Sequence, residues 1–237
     1  MMSGLIVHDL HAHYGKSHIL HGVDFAVPPG EIVGLVGRNG SGRSTALKSI
    51  MGIVPPSQGS ITVDGTQLAG LRPFRVARAG VAYVPEERLI FGTLTVEENL
   101  QLGVGASRPG APTWEIEQMY AYFPRLKERR TTRAGSLSGG EQQMLTMCRS
   151  LLGNPKTILI DEPTEGLAPK IVDGVMAMIT DIASRGVGVL LVEQKLTIVP
   201  HTSQRMLVMG HGQIVFDGSS DALKLDLGIR RTWLEVT

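Results

Sequence analysis

The chain has 237 residues, 42% of them hydrophobic, with 23 Lys+Arg against 22 Asp+Glu and a single cysteine, Cys148. That length suits one domain of good size, or a domain with a built-in lobe, and buries about 70% of its unfolded surface without a staple. The near-neutral balance argues against a nucleic-acid partner, and one cysteine leaves no internal disulfide and suits a reducing compartment. No apolar run approaches the ~18 residues of a membrane span and no signal pattern opens the chain, so the expectation is a soluble cytoplasmic protein.

Taken in order, the chain predicts strands up to about residue 85. Val23, Phe25 and Val27 alternate before a Pro28-Pro29-Gly30 turn. The apolar run Ile32 to Val36 enters a glycine-rich loop, and a helical pattern follows with Leu47, Ile50 and Met51 on one face. GSITVDG and GVAYV read as further short strands. From 95 to 153 the pattern turns helical. Thr95 with Glu98 makes a capping box, and Ile116, Met119, Tyr120 and Phe123 recur at i, i+3, i+4 and i+7. After 155 the order alternates: strand TILI, a helix with the stripe Val172, Val175, Met176, Ile179 and Ile182, strand VGVLLV, a helix, then a hairpin RMLVMGHGQIVF. Such alternation predicts an α/β core, a mostly parallel sheet with flanking helices, over residues 1–90 and 155–237. An antiparallel β lobe belongs to that core, and a helical lobe is expected to be inserted at 91–154.

Three stretches carry chemistry. The first is VGLVGRNGSGRSTALKSIMG, residues 33–52. Gly37, Gly40 and Gly42 free successive backbone N–H groups to turn inward on an anion, the helix start adds partial positive charge, and the Ser44 hydroxyl is placed to hold Mg²⁺. This is a phosphate-binding loop, strand then G-x-x-x-x-G-K-[ST] then helix, except that Arg43 stands in the lysine's place. A guanidinium keeps the charge but is planar and forked, so it is expected to displace the terminal phosphate or to turn out to solvent.

The second stretch, KTILIDEPTEGLAP, delivers Asp161 and Glu162 at the carboxyl end of a buried strand. Asp161 is suited to the Mg²⁺ shell and Glu162 to polarising an attacking water. The third is LSGGEQQML, where Ser138 with Glu141 forms a capping box. An ordinary capped helix does not explain Gly139 and Gly140, which weaken a helix start and imply a close approach.

In this order and spacing, GRNGSGRST, LSGGEQ and ILIDEP resemble the ATP-binding subunit of ABC transporters, and the resemblance covers nearly the whole chain. YVPEERLIFGTLTVEENLQLG, FPRLKERR, EGLAP and LLVEQ look like the F-type subunit of branched-chain amino-acid uptake systems, whose relatives serve urea and short-chain amides. The resemblance implies a P-loop NTPase that binds ATP and Mg²⁺ and hydrolyses ATP. It implies a peripheral place on the inner face of the cell membrane, with membrane-spanning permease subunits and, indirectly, a solute-binding protein as partners. A second ATP-binding subunit would complete a head-to-tail dimer. Gly37, Arg38, Asn39, Gly40 and Ser41, with Gly42, Arg43, Ser44 and Thr45, would then cradle the phosphates, and Tyr14 would stack on adenine. Ser138, Gly139, Gly140 and Glu141 would serve the partner's nucleotide. Glu86 takes the place of the glutamine that senses metal and membrane subunit, Gln194 that of the switch histidine, and Ala168 that of an aspartate. The resemblance therefore implies Glu162, Gln194 and Glu86 for catalysis and Ser44, Glu86 and Asp161 for the metal. Arg43 fits neither the superfamily nor the subfamily, which leaves a regulatory subunit with weak hydrolysis as the alternative.

Other features carry less. His8, His11, His13, His18 and His21 crowd one stretch, and His11 and His13 share a strand face. No cysteine or carboxylate cluster completes a tetrahedral set, although Asp9 is close in sequence, so metal binding is the less favoured reading. The basic run Arg125, Lys127, Arg129, Arg130 and Arg133 reads as a solvated edge, with a membrane-partner contact second.

Overall fold

In the computed structural model, residues 3–194 and 202–234 are described. β1 (Leu5–Tyr14) and β2 (Ser17–Val27) pair as an antiparallel hairpin, extended by β4 (Pro56–Val63) and β5 (Thr66–Gln67) in the order β2-β1-β4-β5. Leu5, Val7, Leu10 and Ala12 are buried while the residues between them face outward, as in a sheet with one wet face. The step from Val7 to Leu10 is one residue too long because Asp9, at φ 47°, makes a bulge there.

The second sheet holds β3 (Ile32–Val36), β6 (Val81–Val84), β7 (Thr157–Asp161), β8 (Gly188–Val192), β9 (Arg205–Gly210) and β10 (Gln213–Ser219). Its order is β10-β9-β3-β8-β7-β6, parallel throughout except for β9 with β10. His211 and Gly212, at φ 47° and 76°, make the tight turn of that last hairpin. β7 and β8 are buried at every position, which explains their unbroken apolar runs.

Alternate residues of these strands feed two cores. Ile158, Ile160, Val189, Leu191 and Val208 face one of them, while Leu159, Leu190, Val192 and Leu207 face the other. The second core also takes the inner face of the antiparallel sheet, α1 (Arg43–Ile50) through Ala46, Leu47 and Ile50, and α2 (Pro73–Ala79) through Val76. The first core is covered by α3 (Val96–Gly103), α4 (Ile116–Tyr122), α5 (Pro124–Glu128), α6 (Gly139–Leu151) and α7 (Pro169–Ser184). Val96, Leu100, Leu145 and Cys148, from the segment expected as an inserted lobe, share that core with the sheet strands. Two short helices, α8 (Ser220–Leu225) and α9 (Leu227–Trp233), end the described chain.

The α/β expectation holds, with a mostly parallel sheet and an antiparallel lobe. Both predicted capping boxes, Thr95 with Glu98 and Ser138 with Glu141, are closed in both directions. One stripe needs correction: α7 buries Val175, Met178, Ile179, Ile182 and Ala183, while Val172 and Met176 are half-buried. The face sits slightly further round the helix than the spacing from Val172 suggested. The helix expected between VGVLLV and RMLVMG falls on 195–201, outside the described residues.

Candidate functional site

Four neighbouring parallel strands, β3-β8-β7-β6, end on one edge of the sheet. β3 leads into Gly37, β8 into Gln194, β7 into Asp161 and Glu162, and β6 into Glu86. Carboxyl-end convergence of this kind is where open α/β sheets hold ligands. A cleft of about 440 Å³ lies there, lined by Tyr14, Ile19, Asn39, Gly40, Ser41, Gly42, Arg43, Ser44, Thr45, Glu86, Glu162 and Gln194. Gly37 and Arg38 lie outside this lining: Gly37 has the Met209 carbonyl where a Cβ would be (2.4 Å), and Arg38 reaches the Arg231 carbonyl at 3.4 Å.

Gly40 and Gly42 have φ of 77° and 111°, backbone that side-chain-bearing residues rarely adopt. α1 starts directly after Gly42 with no side-chain cap, so its first amides lack intrahelical acceptors, and the residues that carry them, Arg43, Ser44 and Thr45, line the cleft. Positive amide ends and a helix start make a pre-formed anion cradle.

Arg43 does not turn out to solvent. Its guanidinium turns inward: Nη2 lies 3.1 Å from Glu162 Oε1 and 3.3 Å from Asn39 Oδ1, with the side chains of Arg43 and Glu162 only 6% and 7% exposed. Gln194 Nε2 donates to both oxygens of the same carboxylate, at 3.0 and 2.8 Å. Glu162 sits at φ 46°, a strained conformation held by its own amide donating to the Val192 carbonyl at 2.9 Å. Burial raises the Glu162 carboxyl above its usual range, while the Gln194 hydrogen bond and the Arg43 charge oppose that rise.

Asp161 is deeper, 1% exposed, and burial raises its carboxyl too, against the Ser44 hydroxyl, Arg43 and Tyr83. Tyr83 donates its hydroxyl to Oδ2 at 3.3 Å. Among the described residues, Asp161 Oδ1 and Arg43 Nη1 are buried without hydrogen-bond partners. One is an acceptor and one a donor, beside a free amide cradle; a cation and a phosphate oxygen would satisfy them. The residues present thus fit MgATP, with Ser44 and Asp161 toward the metal.

Glu86, the third residue expected toward the metal, lines the same cleft as Ser44. It forms, with Glu162 and Glu165, the one group of three among the described residues whose carboxylate oxygens lie within 4.8 Å of one another. Burial, then Glu165, Asp161 and Glu87, raise the Glu86 carboxyl. Glu165, Tyr83 and Glu193 were missed by sequence reasoning. Glu193 accepts from the Thr164 amide and hydroxyl, at 3.2 and 2.7 Å, and so stiffens the turn that carries Glu162 and Glu165. The nearest sequence signal was the third carboxylate of DEPTEG.

Ser138, Gly139, Gly140 and Glu141 do not line the cleft. Ser138 caps α6, and Glu141 returns the bond to the Ser138 amide at 2.8 Å. Within the chain, a Cβ on Gly139 would meet Arg88 Nη1 at 2.2 Å and one on Gly140 would meet Ile171 at 2.9 Å, both of them the far ends of flexible side chains. The basic run is likewise partly spoken for, since Arg125 and Arg129 each lie 3.4 Å from Glu141. Ala168 leaves α7 without a side-chain cap, and Pro169 supplies the first turn instead.

Comparison with known proteins decides the family: a sequence profile described as "ABC transporter" matches residues 20–165. The chain belongs to the ABC transporter family. It is 40% identical over 222 residues to the high-affinity branched-chain amino acid transport ATP-binding protein BraG of Pseudomonas aeruginosa, covering 94% of this chain and 95% of that one. It is 32% identical over 235 residues to the lipopolysaccharide export system ATP-binding protein LptB of Haemophilus influenzae, covering 98% of each. Among solved structures, an ATP-binding subunit of an ABC transporter superposes with a TM-score of 0.81 at 28% identity, over 96% of this chain and 95% of that one. The chain is therefore an ABC ATP-binding subunit with the P-loop NTPase fold, and ATP is the nucleotide of the family. No described helix of this subunit is long and apolar enough to cross a membrane.

Proposed function

We propose that this subunit hydrolyses ATP, with Mg²⁺, to power a membrane importer for branched-chain amino acids or related small amides. The observation that carries the reading is convergence: the amide cradle, Arg43, Glu162 and Gln194 meet in one cleft on the carboxyl edge of the sheet, with Asp161 buried behind it against the Ser44 hydroxyl. Higher identity to the amino-acid relative than to the lipopolysaccharide relative, 40% against 32%, favours that class of solute.

Each residue then has a task. Tyr14, half exposed at the end of β1, stacks on adenine. The loop amides and Arg43 hold the phosphates, and Mg²⁺ at Ser44 and Asp161 would neutralise charge between the two outer phosphates. Glu162 polarises the attacking water, with Gln194 and Glu86 flanking it near the terminal phosphate. Ser138, Gly139, Gly140 and Glu141 serve the nucleotide of a second ATP-binding subunit in a head-to-tail dimer, which would explain why they line no cleft of their own. Permease subunits receive the closure, and a solute-binding protein supplies the solute to them.

A second reading rests on the Arg43–Glu162 pair, in which the cleft binds ATP but barely hydrolyses it and the subunit regulates a partner. Equilibrium ATP binding beside steady-state ATPase, on the purified chain and on its complex with the neighbouring permease subunits, separates the two. Solute-stimulated ATPase with leucine and not with urea supports the amino-acid reading. ATP binding without turnover in the full complex supports the regulatory one.

A further inference from the structure

Among the described residues, four histidines gather on the wet face of the β1–β2 hairpin, outside the nucleotide cleft. Cross-strand pairing sets His11 opposite His21 and His13 opposite His18, while Leu10, Ala12 and Leu20 point into the core. His18 is the hub. Its ring stacks on His13 with centroids 4.1 Å apart and planes at 6°, meets His21 at 4.0 Å and lies 5.2 Å from His11. His18 Nε2 and His11 Nδ1 are 3.0 Å apart.

Behind that pair stands a supporting chain. His11 Nε2 is 3.1 Å from Asp9 Oδ1, and Asp9 Oδ2 accepts from Gln58 Nε2 on β4 at 2.7 Å. The bulge at Asp9 aims the carboxylate sideways onto the imidazole, and Gly22, at φ 76°, leaves it room: a Cβ there would be 3.1 Å from Asp9 Oδ1. A carboxylate accepting from one ring nitrogen fixes the histidine tautomer and leaves the opposite nitrogen as a lone pair, as behind metal-bound histidines. For His11 that lone pair is Nδ1, the atom facing His18.

From this geometry we infer that His11 Nδ1 and His18 Nε2 bind one divalent transition ion of the zinc, nickel or copper class on the outer face of the hairpin. Two imidazole nitrogens on one such ion, each at about 2.0–2.1 Å, stand roughly 3–3.4 Å apart, which matches the spacing already present. The ion enters where the two nitrogens now share a proton, so His18 exchanges the tautomer that donates to His11 for the one that presents Nε2 as a lone pair. Loss of solvent around the ring, and then His21, His13 and His11, hold His18 below its usual protonation range, so it offers a neutral nitrogen. His21 and His13 reach the ion by side-chain rotation, and water fills what remains. Nitrogen donors select these ions over Mg²⁺, which prefers oxygen, so the site is chemically separate from the nucleotide cleft. It ties β1 to β2 across the turn between Tyr14 and Ser17.

The test uses the full chain with no polyhistidine tag, stripped with chelator, in equilibrium dialysis against Zn²⁺ and separately Ni²⁺ with excess Mg²⁺ present. One ion per chain is expected. His11→Gln and His18→Gln should each weaken binding at least about tenfold, and Asp9→Asn about tenfold through the lost support of His11. His211→Gln, whose ring packs edge-on against Trp233, should change nothing. Bound Cu²⁺ should show nitrogen hyperfine lines in electron paramagnetic resonance that weaken in His11→Gln. Circular dichroism checks that each variant is folded. No Zn²⁺ or Ni²⁺ bound by the folded chain, or unchanged affinity in both histidine variants, overturns the inference.

Discussion

Arg43 Nη2 rests 3.1 Å from Glu162 Oε1, and both side chains are more than nine-tenths buried. The cation that should face phosphate oxygens thus holds the carboxylate that should face water. Removing either charge alone would strand the other in a low-dielectric cleft. On the proposed roles, ATP competes with Glu162 for Arg43, and hydrolysis needs Glu162 released from it.

Arg43→Lys tests that competition. An ammonium is compact and rotatable and can enter between the outer phosphates, whereas the planar arginine gives Asn39 and Glu162 the same nitrogen, Nη2, and leaves Nη1 unpartnered. Turnover should rise at least about tenfold, or ~1.4 kcal/mol of barrier, with a smaller change in ATP affinity. Steady-state ATPase and nucleotide affinity are compared for both versions under one set of conditions. Equal turnover would show that the arginine pair costs the enzyme nothing.

Glu162→Gln separates binding from chemistry. The amide keeps the shape and can still accept from Arg43, but it loses the charge that polarises water, so turnover should fall by about 10²–10⁴-fold while ATP still binds. The measurement is best made in the Arg43→Lys background, where the starting rate is higher. Unaltered turnover there would take Glu162 out of the water-activating role.

How much of this was legible in the sequence depends on the range of the interaction. Local signals held: the alternation of Val23, Phe25 and Val27 buries all three, and both capping boxes close. Glycine positions marked the loop, because φ above zero leaves a residue-type signature. What the sequence hid is long-range. The direction of the Arg43 fork depends on Glu162, 119 residues later by number (162 − 43), which only the adjacency of β3, β8 and β7 brings near. The neighbour of Gly139 is likewise remote, since Arg88 arrives from the loop after β6. The sequence placed His11 and His13 on one strand face but left metal binding less favoured, because only the hairpin register sets His18 against His13 and His11.

Ser138 gives a dimer test with an internal control. Both Ser138→Ala and Ser138→Arg lose the cap on α6, which costs about 1 kcal/mol of stability. Only the arginine adds a bulky cation at the exposed helix start, opposed by the helix dipole. On a sizing column with ATP, Ser138→Ala should still dimerise, in a background that keeps nucleotide unhydrolysed, and Ser138→Arg should not. Dimerisation by the arginine variant would refute the head-to-tail role of this helix.

The crowded carboxylates predict a pH-dependent stability. Glu86 has a carboxylate oxygen within 4.8 Å of Glu162 and Glu165, and burial, then Glu165, Asp161 and Glu87, raise its carboxyl above the unfolded value. The folded chain therefore binds that proton more tightly than the unfolded chain. Its favourable contribution is full below the unfolded value of about 4.3 and is lost as pH rises through the higher folded value. At neutral pH Glu86 is then a net burden, and Glu86→Gln removes it. Glu86 is exposed, so solvent screening keeps the gain below about 1 kcal/mol, or roughly 1–3 °C in melting temperature for a chain of this length. The gain should appear at pH 7.5 and vanish near pH 4, where both versions carry an uncharged side chain. Thermal unfolding of the nucleotide-free protein at the two pH values decides it. A variant that melts no higher than the parent at pH 7.5 would mean that the three carboxylates are already relaxed by solvent, and the crowding would have no energetic weight.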